Sequence, residues 1–227
     1  MGLKRFLPIL LLLIIVFHAG EVAMSQDGDS RLIPLPKIAD LDNRPLNQCL
    51  FERRSIRRFA EEPLSLEEIA QLLWASQGST TGSHRTVPSA GALYPVEVYL
   101  LVARGGDLER GLYHYQVAQH AVRQISTKNL MPQLTRATGG QNWMAPSAAV
   151  VIMAVEKQRT TSRYGERGER YVLMEVGNVT QNVHLQAAAL KLGTTIIGSF
   201  RDDDVNELLD LPKGQEVIAF MPVGKPR

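Results

Sequence analysis

Two rhythms of apolar and polar positions run along the chain after residue 45. The short, β-branched and aromatic stretches "VEVYLLVA" (96–103), "GLYHYQV" (111–117) and "AVRQIS" (121–126) predict one strand followed by a hairpin. "SAAVVIMAVE" (147–156) is apolar almost throughout, which suits a central strand covered on both faces. "TTIIGSF" (194–200) and "EVIAFMPVG" (216–224) predict two more strands.

The second rhythm is helical. Between Glu169 and Leu192, the residues Val172, Val176, Val179, Val183, Ala187 and Leu190 step by three and four, which builds one apolar stripe. Ser65 opens a capping box with Glu68 ahead of "IAQLLWASQG", and Gly78 closes that helix. Shorter helices are expected at Leu46–Arg53, around Leu130–Ala137 and over "DDDVNELLDL", whose first turn is rich in aspartate as the helix dipole favours. "QDGDSRLIPLPKIADLDNRP" (26–45) is polar and proline-broken and is expected to be an extended arm, not a packed element. Helices flanking a mainly antiparallel central sheet give an α+β layered sandwich over residues 46–227.

Residues 1–25 differ from the rest. Lys4 and Arg5 precede an apolar run from Phe6 to Phe17, and Ala23-Met24-Ser25 then offers a cleavage site before Gln26. This is the layout of a secretory signal peptide, with an N-terminal membrane anchor as the alternative. Export, to a periplasmic or extracellular location, is the expectation. A net charge of +2 with no recurrent basic stripe argues against a nucleic-acid partner. One cysteine, Cys49, and five scattered histidines give no basis for a disulfide or a structural metal site.

Against that mild overall charge, "FERRSIRRF" (51–59) places four arginines within six positions. Guanidinium groups grip phosphate oxygens in pairs, and Ser55 adds a hydroxyl donor. Such a run also forms ordinary solvated surface, so the cluster alone does not decide. Downstream, the long loop "GSTTGSHRTVPSAGALYP" contains small residues that let backbone approach a flat ring, with Gly91 permitting unusual dihedrals. His84 is expected to be solvated loop, and Arg85 is open between loop and ligand contact. "IIGSF" ends a strand where main-chain N–H groups could face a ligand.

Together "RRSIRRF", "PSAGALYPVEVYL", "RYGERGERYVLMEVGNVTQNVHLQAAALKLGT" and "IIGSFRDDDV" resemble the nitroreductase superfamily of FMN enzymes, in its SagB/ThcOx-type dehydrogenase branch. The resemblance implies an intertwined homodimer with two FMN sites at its interface. It implies that Arg53, Arg54, Ser55 and Arg57 bind the flavin phosphate and ribityl region, with Lys225 completing the phosphate site. Pro88, Ser89, Ala90 and Gly91 would pack on the flavin, usually from the other subunit. Backbone of Ile197, Gly198 and Ser199 would lie near its N5 edge. The implied activity is two-electron or hydride transfer, by a ping-pong route, with a small organic substrate and NAD(P)H as a candidate reductant. Alternatives are a peptide azoline dehydrogenase and a non-catalytic flavin carrier or sensor.

Azoline-dehydrogenating members carry a Lys-Tyr pair ahead of the long helix. Here Arg163 and Tyr164 stand at the matching positions. Arginine does not lose its proton in a protein, so Tyr164 is the candidate for proton handling with Arg163 lowering its pKa, unless both belong to a surface loop. Glu175, Asn178, Gln181, Asn182 and His184 are polar residues amid core positions of the long helix. Hydrogen bonding in a dimer core is the expected use, with His184 satisfied and half-buried.

Overall fold

The computed structural model describes residues 31–38 and 44–227. The leader therefore lies outside the described residues. Among those residues no helix is long and apolar enough to cross a membrane. The strands, in chain order, are β1 (Leu32–Pro34), β2 (Val96–Val102), β3 (Gly111–Gln116), β4 (Ala121–Ser126), β5 (Ala149–Val155), β6 (Gly193–Thr194) and β7 (Glu216–Gly224). They form one antiparallel sheet in the order β1-β4-β3-β2-β5-β7-β6. The helices are α1 (Leu46–Glu52), α2 (Leu66–Gln77), α3 (Met131–Ala137), α4 (Gln158–Tyr164), α5 (Arg167–Ala189) and α6 (Asp202–Leu209).

Side-chain alternation on the central strands feeds two cores. Val96, Val98, Leu100 and Val102 of β2, with Val151, Met153 and Val155 of β5, meet Ile69, Leu72 and Leu73 of α2 and the stripe Val172, Val176, Val179, Val183 and Ala187 of α5. Tyr99, Leu101, Val150, Ile152 and Ala154 point the other way, onto Leu134 of α3 and Val205 and Leu209 of α6. Every residue of β5 is buried, as its unbroken apolar run requires. Val172, Val179 and Val183 are fully buried on α5, and burying such a side chain is worth about 1.5–3 kcal/mol. The stripe fixes the long helix to the sheet.

Two segments depart from the sequence expectation. The arm is packed in part: β1 pairs with β4, Leu35 is buried, and its N–H donates to the His120 carbonyl at 3.0 Å. The strand expected over 194–200 pairs regularly only at Gly193 and Thr194, followed by an isolated bridge between Ile197 and Phe220. Both contacts keep one register, which puts Thr195 opposite Pro222. Proline has no N–H to donate, so the ladder is interrupted there and the Pro222 carbonyl accepts from the Thr194 hydroxyl at 2.9 Å instead. The interruption leaves Ile196, Gly198 and Ser199 exposed.

The α2 capping box forms as the sequence predicts: Ser65 Oγ accepts from the Glu68 N–H, and Glu68 Oε2 accepts from the Ser65 N–H at 2.8 Å. Replacing Ser65 with Ala should destabilise the protein by about 1 kcal/mol, lowering Tm by about 2–4 °C for a chain of this size. Calorimetry checks this; an unchanged Tm would show that the cap contributes nothing to α2.

Candidate functional site

The arginine segment leaves α1 and runs extended beside the end of α5. Ser55 bridges Thr194 in parallel, the Ile56 N–H donates to the Thr194 carbonyl at 3.0 Å, and Phe59 bridges Pro226. A side chain at Gly193 could not coexist with this path, because an added Cβ would sit 2.6 Å from Ile56 Cγ2. The backbone is thus pinned to β6, three residues before Ile197. Two of the three predicted segments are neighbours.

The arginines themselves divide between two clefts. Arg53 and Arg54 line a cleft of about 260 Å³ with Arg44, Glu52, His184, Lys191 and Thr194. Arg57 lines a second, of about 530 Å³, with Arg58, Trp143 and Arg227. Its guanidinium lies 5.6 Å from the centre of the Trp143 ring. All four ligand candidates do not converge on one point in this structure; the four residues of extended chain from Arg53 to Arg57 span about 13 Å and separate them. Arg54 donates to the carbonyls of Phe51 and Arg53, at 2.7 and 2.8 Å. Lys225 is 3.4 Å from Glu68, the capping-box residue, and is engaged there. Arg227 is the C-terminal cation that shares a cleft with Arg57.

The first cleft has four cations and one carboxylate, and Glu52 is already paired with Arg44 at 2.7 Å. His184 departs from expectation: it is buried, not half-buried, and its Nδ1 has no hydrogen-bond partner among the described residues. Burial, reinforced by the charge of Arg53, pushes its pKa down to about 4. The imidazole is therefore neutral near pH 7, an uncharged polar group inside a cationic cleft.

The loop Pro88–Tyr94 lies at the other end of α5. Gly91 (φ 62°), Ala92 (φ 53°) and Tyr94 (φ 46°) all occupy the left-handed region, two of them without being glycine. Such strain persists only where surroundings over-determine it. Here Ser89 Oγ accepts from the Tyr94 N–H at 2.8 Å, Arg159 donates to the Tyr94 carbonyl at 3.0 Å, and the Arg85 guanidinium stands 4.1 Å from the Tyr94 ring centre. Arg85 thus braces the loop. Beneath it, the buried Glu175 accepts from Gln77 at 3.0 Å and is hydrogen-bonded by Ser89. Burial raises the Glu175 pKa, against the lowering effect of Ser89, Gln77 and Arg85. Asn182 donates to the carbonyls of Ala75 and Thr86, both at 3.1 Å. Glu175 and Asn182 thus bond within the chain, where a dimer core was expected.

Arg163 and Tyr164 sit on α4, not in a loop, and they meet the Pro88–Tyr94 turn. A Cβ added at Gly91 would lie 2.8 Å from the Tyr164 hydroxyl and 3.0 Å from an Arg163 nitrogen. Tyr164 also packs edge-on against Tyr171, with ring centres 5.1 Å apart. From Glu175, beneath the turn, to His184, in the arginine-lined cleft, is nine residues of helix, or about 13 Å at 1.5 Å per residue. Pro88 and Gly91 are exposed, as are Gly198 and Ser199. The Ser199 carbonyl accepts from Gln141 at 3.2 Å.

A sequence profile of the Nitroreductase family matches residues 50–225. The chain belongs to the nitroreductase family. A nitroreductase-type protein of Methanocaldococcus jannaschii is 39% identical over 199 residues, covering 87% of this chain and 98% of that protein. The microcin B17-processing protein McbC of Escherichia coli is 29% identical, covering 65% of this chain. The trifolitoxin-processing protein TfxB of Rhizobium leguminosarum is 30% identical, covering 86% of this chain. This chain spans 57% of each of those two proteins, and its similarity to them supports the SagB/ThcOx-type branch of the superfamily. Among solved structures, a nitroreductase-type protein of Ralstonia eutropha superposes with a TM-score of 0.76 at 25% identity, over 88% of this chain and 92% of the other. The NADPH:FMN oxidoreductase of Vibrio harveyi, complexed with NAD+, has the same fold, with a TM-score of 0.59 at 20% identity over 80% of this chain and 68% of the other. Family membership makes this nitroreductase-family chain an oxidoreductase.

Sequence reasoning missed Arg44, Lys191, Arg227 and Trp143 as cleft residues. Only Arg227 carried a signal, being the second cation after β7; the others come close through chain crossings that no local pattern reveals.

The neutral state of His184 gives a pH signature. An unfolded histidine takes up its proton near pH 6.5, whereas in the fold His184 resists until about pH 4. The unfolded state then binds more protons, so stability falls as pH drops through that window. The loss contributed by this group reaches about 3 kcal/mol at the low end. His184→Gln should flatten the fall in Tm between pH 6.5 and 4; an unaltered profile would show that His184 is protonated in the fold.

Proposed function

We propose that the protein is an FMN-dependent oxidoreductase, exported through its leader, that moves two electrons between a reductant such as NAD(P)H and a small organic substrate in two half-reactions. The observation that carries this reading is the pinning of Ser55 to Thr194, which sets the arginine segment beside the exposed strand end at Gly198 and Ser199. The residues fit the cofactor. A flavin monophosphate carries a dianion, and the cleft beside His184 holds a surplus of guanidinium and ammonium groups. Gly91 is exposed, and the space a side chain would take there is filled by Tyr164 and Arg163, so the turn presents backbone to a flat ring.

FMN, when bound, supplies the redox chemistry. The protein's part is to hold and orient it. Arg53 and Arg57, which line separate clefts on either side of Ser55, would have to swing together to grip the phosphate end. The exposed backbone at Gly198 and Ser199 would offer donors at the reactive edge, and Pro88–Gly91 would cover one ring face. Tyr164, held against Gly91, is placed to hold or move a proton at its hydroxyl, with Arg163 beside it as a fixed positive charge. A second reading, peptide azoline dehydrogenation, is favoured by this Arg163–Tyr164 placement and by the likeness to McbC and TfxB. Arginine in place of a deprotonatable lysine counts against it.

FMN at 100 times its dissociation constant should stabilise the fold by about 2.7 kcal/mol, raising Tm by roughly 5–10 °C for a domain of this size. Riboflavin, lacking the phosphate, should give a clearly smaller shift, and Arg57→Ala or Arg53→Ala should erase the difference. Equal shifts for the two flavins would overturn phosphate recognition.

Homodimerisation fits the exposed apolar surface. Phe51, Leu46 and Leu50 on α1 are 78%, 64% and 52% exposed, and Leu173 and Met174 on α5 are 55% and 62% exposed. Gly177, one turn further along α5, has open space where a side chain would stand, which permits close approach of another backbone. Phe51 borders the arginine segment, so a dimer formed here would bring a second Pro88–Tyr94 turn towards it. The double variant Phe51→Glu, Met174→Glu should sediment at half the wild-type mass and release flavin; a wild-type monomer that retains flavin would rule out an interface site.

A further inference from the structure

One guanidinium ties the Pro88–Tyr94 turn to both the sheet and α4. Arg159, half-buried on α4, donates to the Tyr94 carbonyl at 3.0 Å, and the same nitrogen stands 2.6 Å from Glu97 Oε1. Its second terminal nitrogen is 2.7 Å from Glu156 Oε2. Three oxygens thus fix the plane of a rigid fork, a task for which a lysine ammonium has no counterpart. Arg163 and Tyr164 follow four and five residues later on the same helix, just over one turn away, and meet Gly91. A single helix therefore holds the turn at its apex and at its end.

Glu97 is itself held from the neighbouring strand. It lies on β2, three residues after Tyr94, and its Oε2 accepts from His114 Nε2 of β3 at 2.8 Å. His114 is fixed in turn, stacked on Tyr99 with ring centres 4.5 Å apart and with its Nδ1 2.9 Å from Gln116 Nε2. Burial disfavours the Glu97 carboxylate, but the bonds from His114 and Arg159 outweigh it and hold its pKa below the ordinary carboxylate value. Charge-assisted bonds of this kind are the strong ones. They end on Tyr94, a non-glycine residue at φ 46°, where geometry has to be imposed by the surroundings. Removing Arg159 would free the Tyr94 carbonyl and leave Glu97 and Glu156 without their shared cation.

We propose that Arg159 is a positioning residue of the flavin site, and that the chain His114–Glu97–Arg159–Tyr94 carries the order of the sheet to the turn. Its functional part rests on the reading that this turn covers the flavin ring. None of the three residues before Tyr94 in the chain touches the ring; they act through the shape of the turn.

Hydrogen exchange of the full chain without added flavin reads the turn directly. The Tyr94 amide, which donates to Ser89 Oγ, should exchange at least tenfold faster in Arg159→Gln than in the wild type, while the amide of buried Leu73 on α2 keeps its rate. His114→Phe, which retains a ring on Tyr99 but loses both hydrogen bonds, should speed Tyr94 exchange severalfold with the same locality. Fluorescence titration with FMN should then show at least fivefold weaker binding in both variants. Unchanged Tyr94 exchange in either variant would overturn the chain, and equal acceleration at Tyr94 and Leu73 would reduce it to general stability. Faster Tyr94 exchange with undiminished FMN affinity would overturn the positioning role. A wild-type chain that binds no FMN would instead sink the flavin reading, and the exchange rates, which need no flavin, tell the two failures apart.

Discussion

The backbone of residues 53–60 has no partner strand of full length, yet its position governs the site. It is held by single contacts: Ser55 against Thr194, Phe59 against Pro226, the Ala60 N–H on the Lys225 carbonyl at 2.9 Å, and the Arg227 N–H on the Arg58 carbonyl at 3.1 Å. Ile56 fills the space left by the missing side chain of Gly193. Main-chain bonds and Ile56 secure the path of the segment; of its guanidinium groups, that of Arg54 also closes the end of α1 through the Phe51 and Arg53 carbonyls. Arg53 makes no such contact and is available for a ligand, at the cost of repulsion from its cationic neighbours until one binds.

The same division of labour recurs at the other end of α5. Buried Glu175 and Gln77, together with Ser89, support the Pro88–Tyr94 turn from below, while Arg85 and Arg159 brace Tyr94. The exposed top of the turn is left to Gly91 and small neighbours. Polar residues on the helix interior thus position a strained loop. Two left-handed non-glycine residues there indicate that the network is strong enough to impose its geometry.

Most elements were legible in the sequence because their signals are local and strong. The Ser65–Glu68 box, the period of α5 and the unbroken apolar run of β5 each depend on residues a few positions apart. What escaped depends on distance. Pro222 interrupts β6 from across the sheet, and nothing in "TTIIGSF" itself records it. α4 was hidden because "QRTTSRY" has no apolar stripe, although it turns out to carry Arg163 and Tyr164 to Gly91. The arginine cluster was visible as composition, but its division between two clefts follows from the extended backbone it adopts. His184 looked like one more core histidine; only the crossing of α5 with the Arg53 segment shows its unpartnered nitrogen.

The interruption at Pro222 also bears on how the protein behaves in a crowd. The sheet ends on one side in two-residue β6 and on the other in three-residue β1, which closes on Pro34 with Pro36 close behind. An open sheet margin is a template for adding strands from other molecules, and brevity and proline are the usual protections. Both margins here are of that kind. The fold can therefore expose an irregular strand end to a ligand without offering its edge as a seed for self-assembly into aggregates.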